Sequence, residues 1–366
     1  MPTAARIVVA PEKSGAMYVA EVELPDPGPR QVVVKQYASG ICHSQLHQLH
    51  GPRAKPALLG HESTGVVVAV GSDVTHVAVG DTVLVTWVPR NRDEAKAWHG
   101  GLQLDVGNGV TAFTSDVFTW ADHTLADQSL VVKVAPTIAK DVTAIIGCAV
   151  MTGAGAVLHT AGVQAGDSVA IFGVGGVGLS AVVAAASVGA NPIIAVDLDP
   201  AKLEFAKRFG ATHGVNGSGG DAVAQIRALT TDPSRIGFRG APMVGVDYAF
   251  DCIGVKSTME QIVAAARPGV LASETGGTAV LVGVPQTTVE LPAVEMLINE
   301  KRFIGSIGGS CSPDVDFPMF LDWHADGRLD LDSLVTERFA LDEINDACAA
   351  LEAGKISGRA ILEFPS

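Results

Sequence analysis

The chain has 366 residues, 48% of them hydrophobic and 17% charged, a balance that predicts about two domains with large buried cores. Its formal net charge of −14 argues against nucleic acid or an anionic membrane surface as a partner. Five scattered cysteines do not suit a disulfide framework, and the N-terminal stretch lacks the apolar core of a signal peptide, so a reducing cytoplasm is the expected setting.

The first part of the chain reads as short strands and turns. Residues 31–37 alternate into Ser39-Gly40-Ile41-Cys42. Residues 65–70, the turn Gly71-Ser72-Asp73 and residues 81–85 follow as a meander of a small β-rich domain. Residues 88–109 are polar and glycine-bearing and are expected to form a surface loop. The apolar run 141–166 is expected to be a helix linking two domains.

From Gly166 onward the pattern becomes strand–helix alternation. Residues 168–196 carry no charge at all. They open with the strand Val169–Phe172, pass through Gly173-Val174-Gly175-Gly176-Val177-Gly178, and continue as a small-residue helix to about residue 188. Asn191-Pro192 ends that helix, residues 193–196 form a second strand, and Asp197 stands at its tip. The first glycine allows a tight turn, the second lets backbone N–H groups approach a pyrophosphate, and the third lets helix and strand pack closely. The helix N-terminus offers unpaired donors to phosphate, and Asp197 can accept from ribose hydroxyls. A membrane span competes on length alone, but the glycines and Asn191-Pro192 cut the run into strand-sized and helix-sized pieces. Further on, residues 205–209 lie in a charged amphipathic helix. Residues 244–250, 277–283 and 303–307 read as strands of a doubly wound parallel sheet. The tail, including 341–351 and 359–364, is expected to pack back on the first domain.

Three segments outside the nucleotide-binding pattern carry chemistry: Gly40-Ile41-Cys42-His43-Ser44-Gln45-Leu46-His47, Gly60-His61-Glu62 and Gly147-Cys148. Two thiolates and an imidazole suit zinc, and three protein ligands leave a fourth position open for substrate. Cys252, Cys311 and Cys348 are expected to be inert thiols.

Taken together, the GHE triplet, the GxCHxxxH pattern, the GC before the linking helix and GVGGVG resemble, in order and spacing over nearly the whole chain, the zinc-dependent alcohol dehydrogenases of the medium-chain dehydrogenase/reductase superfamily. The resemblance implies an α/β protein with a GroES-like β-rich catalytic domain (1–152), a Rossmann NAD-binding domain (153–307), a return to the catalytic domain (308–366), and a cleft between the two. It implies Cys42, His61 and Cys148 as catalytic zinc ligands, with Glu62 able to approach the metal. Ser44 takes the place of the hydroxyl that receives the alcohol proton, and His47 that of the outer base reached through the nicotinamide ribose. His43 and Arg359 match cations at the pyrophosphate, and Lys202 a lysine near the adenosine ribose. Thr152 and Val177 match residues behind the nicotinamide, and Val284 joins the cofactor-binding set. Trp87 and Phe118 match walls of the alcohol pocket, which favours apolar alcohols over polyols, with simple core packing as the competing reading.

Two departures stand out. Gln45 occupies a position where the family often has aspartate orienting the zinc-bound histidine, which is expected to leave zinc more electrophilic. No cysteine lies between Cys42 and Cys148, so the family's structural zinc is expected to be absent. His99 cannot form that site alone, and the loop 88–109 is left free to take another course. The expected cofactors are one catalytic zinc per chain and NAD. The expected partners are an alcohol or aldehyde and further copies of the chain, as a dimer or tetramer, with no nucleic acid or membrane. Two rival readings are a nicotinoprotein that keeps its NAD permanently bound and a non-catalytic dinucleotide-binding protein.

Overall fold

The strand Gln31–Ile41 organises the first part of the molecule, seen in a computed structural model that describes residues 2–13, 15–97, 101–236, 240 and 242–365. It pairs antiparallel with Ser63–Val70, His123–Asp127 and Arg359–Glu363. The larger sheet thus runs Val131–Lys133, Thr82–Val85, Ser63–Val70, Gln31–Ile41, Arg359–Glu363, Val335–Phe339. A five-stranded sheet built on Thr3–Ala10 completes the β-rich unit. The tail joins it directly: Ala360 sits opposite Ile41, and the helix Ile344–Glu352 buries Ile344, Ala347 and Leu351 in a core with Val8, Ile41 and Trp120. Contacts divide the chain into two units, Met1–Ala149 with Ser312–Ser366, and Val150–Cys311.

Residues 88–109, expected to be a loop, are partly regular. Asn91 Oδ1 accepts from the backbone N–H groups of Asp93 (3.1 Å) and Glu94 (3.0 Å) and starts the short helix Arg92–Ala97. Leu102–Asp105 pairs antiparallel with Thr111–Thr114, and the turn between them runs through Gly107, Asn108 and Gly109, all with positive φ. His99 lies outside the described residues. The helix is held by ion pairs from Glu94 to Arg90 (3.0 Å) and Arg30 (2.7 Å), with Arg90 also on Asp314 (2.7 Å). Glu94→Ala removes the carboxylate shared by two half-buried guanidinium groups. It is expected to lower stability by about 1–3 kcal/mol, measured by urea unfolding; a loss within error of zero would mean the cluster is only surface decoration.

Val150–Cys311 is built on a six-stranded sheet with every pairing parallel, in the order His213–Asn216, Ile193–Asp197, Val169–Phe172, Tyr248–Asp251, Thr278–Leu281, Arg302–Gly305. By position along the chain this is the order 3-2-1-4-5-6 of a doubly wound dinucleotide-binding sheet. The central strands are covered on both faces, which is why Val169–Phe172 is entirely buried and the stretch carries no charge. The glycine-rich helix starts earlier than its apolar run suggests, at Gly176–Ser187. The expected strand at 244–250 is shortened to Tyr248–Asp251, because Gly245, with φ +104°, breaks the extended run before it. The charged helix spans Pro200–Lys207, with Asp199 capping it by accepting from Ala201 N–H at 2.8 Å.

The linking segment Val142–Ala161 is helical throughout, with 3₁₀ and π turns at 142–150 and 156–161 flanking the α-helix Met151–Gly155. It is apolar and long enough to cross a bilayer, but 89% of its 18-residue apolar window is buried in the protein, as a core helix is.

Candidate functional site

Three local structures bring the ligand candidates of the first unit together. Cys42 follows the strand Gln31–Ile41 and precedes the helix His43–His50. His61 and Glu62 precede Ser63–Val70, the strand paired with Gln31–Ile41, so that Ser63 lies opposite Ser39. Cys148 lies in the π turn Ile146–Val150. Candidate ligand atoms of Cys42, His61 and Cys148 all lie within 4.8 Å of one another.

The site is charged and largely buried. Glu62 is completely buried and pairs with Arg359, itself 5% exposed. Glu62 Oε2 also accepts from Ala149 N–H at 3.3 Å. Burial pushes the Glu62 carboxyl up despite Arg359. Burial pulls the Arg359 guanidinium down, but Glu62 and the two sulfurs outweigh it and raise its pKa. A hydrogen bond from the Cys148 thiol, together with Arg359 and His61, holds Cys42 well below the ordinary thiol range against the opposing effect of burial. The pair therefore favours one thiolate, and a divalent cation would displace the second proton. A Cβ on Gly40 would overlap the Glu62 carboxyl, so the glycine two positions before Cys42 makes room for that side chain.

His61 Nδ1 lies 2.8 Å from Gln45 Nε2, and its other nitrogen, Nε2, is buried without a hydrogen-bond partner. A buried imidazole nitrogen left open beside two cysteine sulfurs fits a zinc ligand. Ser44 Oγ is likewise buried without a partner. Ser44 and His47 lie on the helix His43–His50, three residues apart and on one face. His43 on the same helix is exposed. Trp87 stands edge-on to His61, ring centroids 6.3 Å apart, with its Nε1 also unpaired. Phe118 departs from the pocket-wall expectation: it is fully buried in a core with Ile7, Leu24, Val33, Leu58 and Leu125. Its apolar ring contributes more by filling the interior between strands than it could at an open wall. The Arg359 guanidinium, matched to a phosphate contact by resemblance, is directed at Glu62.

In the second unit the glycine-rich turn joins Val169–Phe172 to Gly176–Ser187, so Gly173, Gly175, Gly176, Val177 and Gly178 form the turn and the first helical turn. A Cβ on Gly178 would overlap the Gly173 carbonyl, which accounts for the third glycine. Asp197 ends its strand with Oδ2 accepting from Val174 N–H and Oδ1 from Asp199 N–H, both at 3.1 Å. The carboxylate is thereby pinned against the turn. Lys202 is half-buried in the following helix, Val284 is exposed just past Thr278–Leu281, and Thr152 Oγ1 is buried without a partner.

Two contacts have no counterpart in the sequence reading. Thr86 Oγ1 donates to the Gly147 carbonyl at 2.7 Å and steadies the approach to Cys148. Gln45 Oε1 accepts from Cys42 N–H at 2.8 Å. A glutamine three residues past an N-cap is the signal that reveals the second; nothing local marks the first.

Two protein-family patterns match the chain, "Alcohol dehydrogenase GroES-like domain" over residues 28–136 and "Zinc-binding dehydrogenase" over 176–326. A class-3 alcohol dehydrogenase of Cereibacter sphaeroides is 33% identical, covering 98% of this chain and 99% of the relative. An S-(hydroxymethyl)glutathione dehydrogenase of Paracoccus denitrificans is 32% identical over 96% of this chain and 97% of its own. Among solved structures, benzyl alcohol dehydrogenase of Acinetobacter calcoaceticus superposes with a TM-score of 0.84 at 29% identity, covering 99% of this chain and 100% of that one.

Proposed function

The chain belongs to the zinc-dependent alcohol dehydrogenases of the medium-chain dehydrogenase/reductase superfamily, with a GroES-like domain and a Rossmann-type domain, and from that premise we propose that it oxidises apolar primary alcohols reversibly with NAD and one zinc per chain. The observation that carries the reading is the buried, unpaired His61 Nε2 grouped with the Cys42 and Cys148 sulfurs.

Cys42, His61 and Cys148 would hold the zinc. When bound, zinc supplies Lewis acidity that lowers the pKa of an alcohol hydroxyl. Ser44 Oγ accepts the alcohol proton and His47, one turn on, receives it. Gly173 to Gly178 with the N-terminus of Gly176–Ser187 cradle the pyrophosphate, and Asp197 accepts from the adenosine ribose. NAD supplies the hydride acceptor.

Ser44→Ala is expected to lower kcat by about 10²–10⁴-fold, the usual contribution of a positioned proton acceptor. His47→Gln is expected to be milder and to remove an ionisation from the pH–rate profile. An unchanged kcat in Ser44→Ala would remove Ser44 from the relay.

Asp197 and nearby Asp199 repel the 2′-phosphate of NADP, and Asp197 forfeits its ribose bond to that cofactor. Preference for NAD by about a hundredfold in kcat/KM is expected. Asp197→Ala should weaken NAD and narrow the gap; equal kcat/KM for both cofactors in the unsubstituted enzyme would refute this role. NAD retained through gel filtration would instead identify a nicotinoprotein.

The apolar substrate class now rests on Trp87 alone, since Phe118 is core. The testing experiment ranks kcat/KM for ethanol, hexanol, benzyl alcohol, sorbitol and S-(hydroxymethyl)glutathione. Hexanol or benzyl alcohol should lead, and Trp87→Ala should flatten the ranking. Sorbitol or the glutathione adduct in first place would overturn the assignment.

A further inference from the structure

Both ends of the Gln45 amide are occupied. Its Oε1 accepts from Cys42 N–H at 2.8 Å, the return bond of a capping box at the start of His43–His50. A backbone N–H can only donate, so this contact decides which end of the amide is oxygen. The other end, Nε2, therefore donates to His61 Nδ1 at 2.8 Å. Gln45 is completely buried, and solvent offers no substitute partner.

A ring nitrogen that accepts carries no hydrogen. In neutral His61 the hydrogen accordingly sits on Nε2, the buried nitrogen without a partner. Metal binding reverses that requirement. With Nδ1 occupied by Gln45, Nε2 is the nitrogen left to ligate, and an imidazole ligating through Nε2 carries its hydrogen on Nδ1. There it would meet the hydrogens of the Gln45 amide. Turning the amide over would satisfy His61 but leave Cys42 N–H facing a donor. A carboxylate could accept from both groups at once; a single amide oxygen in this geometry serves one.

We propose that Gln45 is a positioning residue that weakens zinc retention in this chain: the metal-free site is fully hydrogen-bonded around Gln45, and loading zinc breaks one of its two bonds. The zinc is then held less tightly, and exchanges more readily, than a carboxylate at position 45 would permit. The inference rests on Cys42, His61 and Cys148 being the metal site.

The test uses the full chain, stripped of metal by a chelator and then reloaded with zinc. Ring-¹⁵N NMR on histidine-labelled protein reads which nitrogen of His61 carries hydrogen, with His61→Gln identifying the signal. Competition with a chromophoric chelator reads zinc affinity. The metal-free protein should carry the hydrogen on Nε2, and zinc loading should move it to Nδ1. Gln45→Glu keeps a capping-box residue and supplies two acceptors. It should hold the hydrogen on Nδ1 even without metal and tighten zinc by roughly tenfold or more, the lower end of the range for groups that orient a metal ligand. A metal-free protein with hydrogen already on Nδ1 overturns the proposal without reference to any Gln45 variant. So does a Gln45→Glu protein that binds zinc no more tightly than the parent. A parent protein that takes up no more zinc than Cys42→Ser overturns the metal site itself, and this proposal with it.

Discussion

Cys148→Ser is expected to abolish alcohol oxidation, lowering kcat/KM by about a thousandfold or more, while leaving the protein folded. The metal contributes several kcal/mol of charge stabilisation in the reaction, and each 1.36 kcal/mol is about tenfold in rate. Serine nearly matches cysteine in size but does not supply a thiolate, so the trio of candidate ligands within 4.8 Å is reduced to a pair. Bound zinc should fall from one per chain to near zero by elemental analysis. The circular dichroism spectrum should be retained, because Cys148 lies in a helical run and serine is close to cysteine in size. Retained turnover with zinc lost would separate the metal from the reaction. Unfolding of the variant would make the site structural. Two tightly held zincs in the parent protein would contradict the single-metal reading.

Arg359→Met is expected to lower stability by about 3–5 kcal/mol, because it leaves a buried carboxylate without its cation. Glu62 is fully buried, Arg359 is its ion-pair partner, and Ala149 N–H is its other donor. The loss belongs to the stranded charge more than to the ion pair itself. The double variant Glu62→Gln/Arg359→Met should therefore be more stable than Arg359→Met alone. Arg359→Lys should fall between parent and Arg359→Met, since lysine keeps the charge but not the planar fork. Urea unfolding measures all four proteins. A loss below about 1 kcal/mol in Arg359→Met would show that water reaches Glu62 in the folded state.

The glycine-rich turn was legible because its causes are local. Val169–Phe172 is a strand at the expected residues, and the turn, the helix and Asp197 follow from spacing alone. The ligand trio was legible in a different way. Cys42, His61 and Cys148 lie far apart in sequence, and no periodicity joins them; the resemblance of the surrounding motifs did. Residues 88–109 carry local signals for both of their regular elements. Asn91 before Asp93 and Glu94 is a helix start, and Gly107-Asn108-Gly109 between alternating residues is a hairpin turn.

By itself the sequence determined what short-range chemistry dictates: the strand Val169–Phe172, the glycine-rich turn after it and Asp197 at the tip of the next strand. The tertiary structure alone decided which groups share an interior. It turned Phe118 from the pocket wall into the core, shared Glu94 among Arg30 and Arg90, and set Arg359 on Glu62 across 297 residues of chain. It also spent the single oxygen of Gln45 on Cys42 N–H, leaving only hydrogens for His61. Each of these depends on which strands pair and on what water is excluded from, and a buried charge or amide takes its partner from whatever the fold brings within about 3 Å.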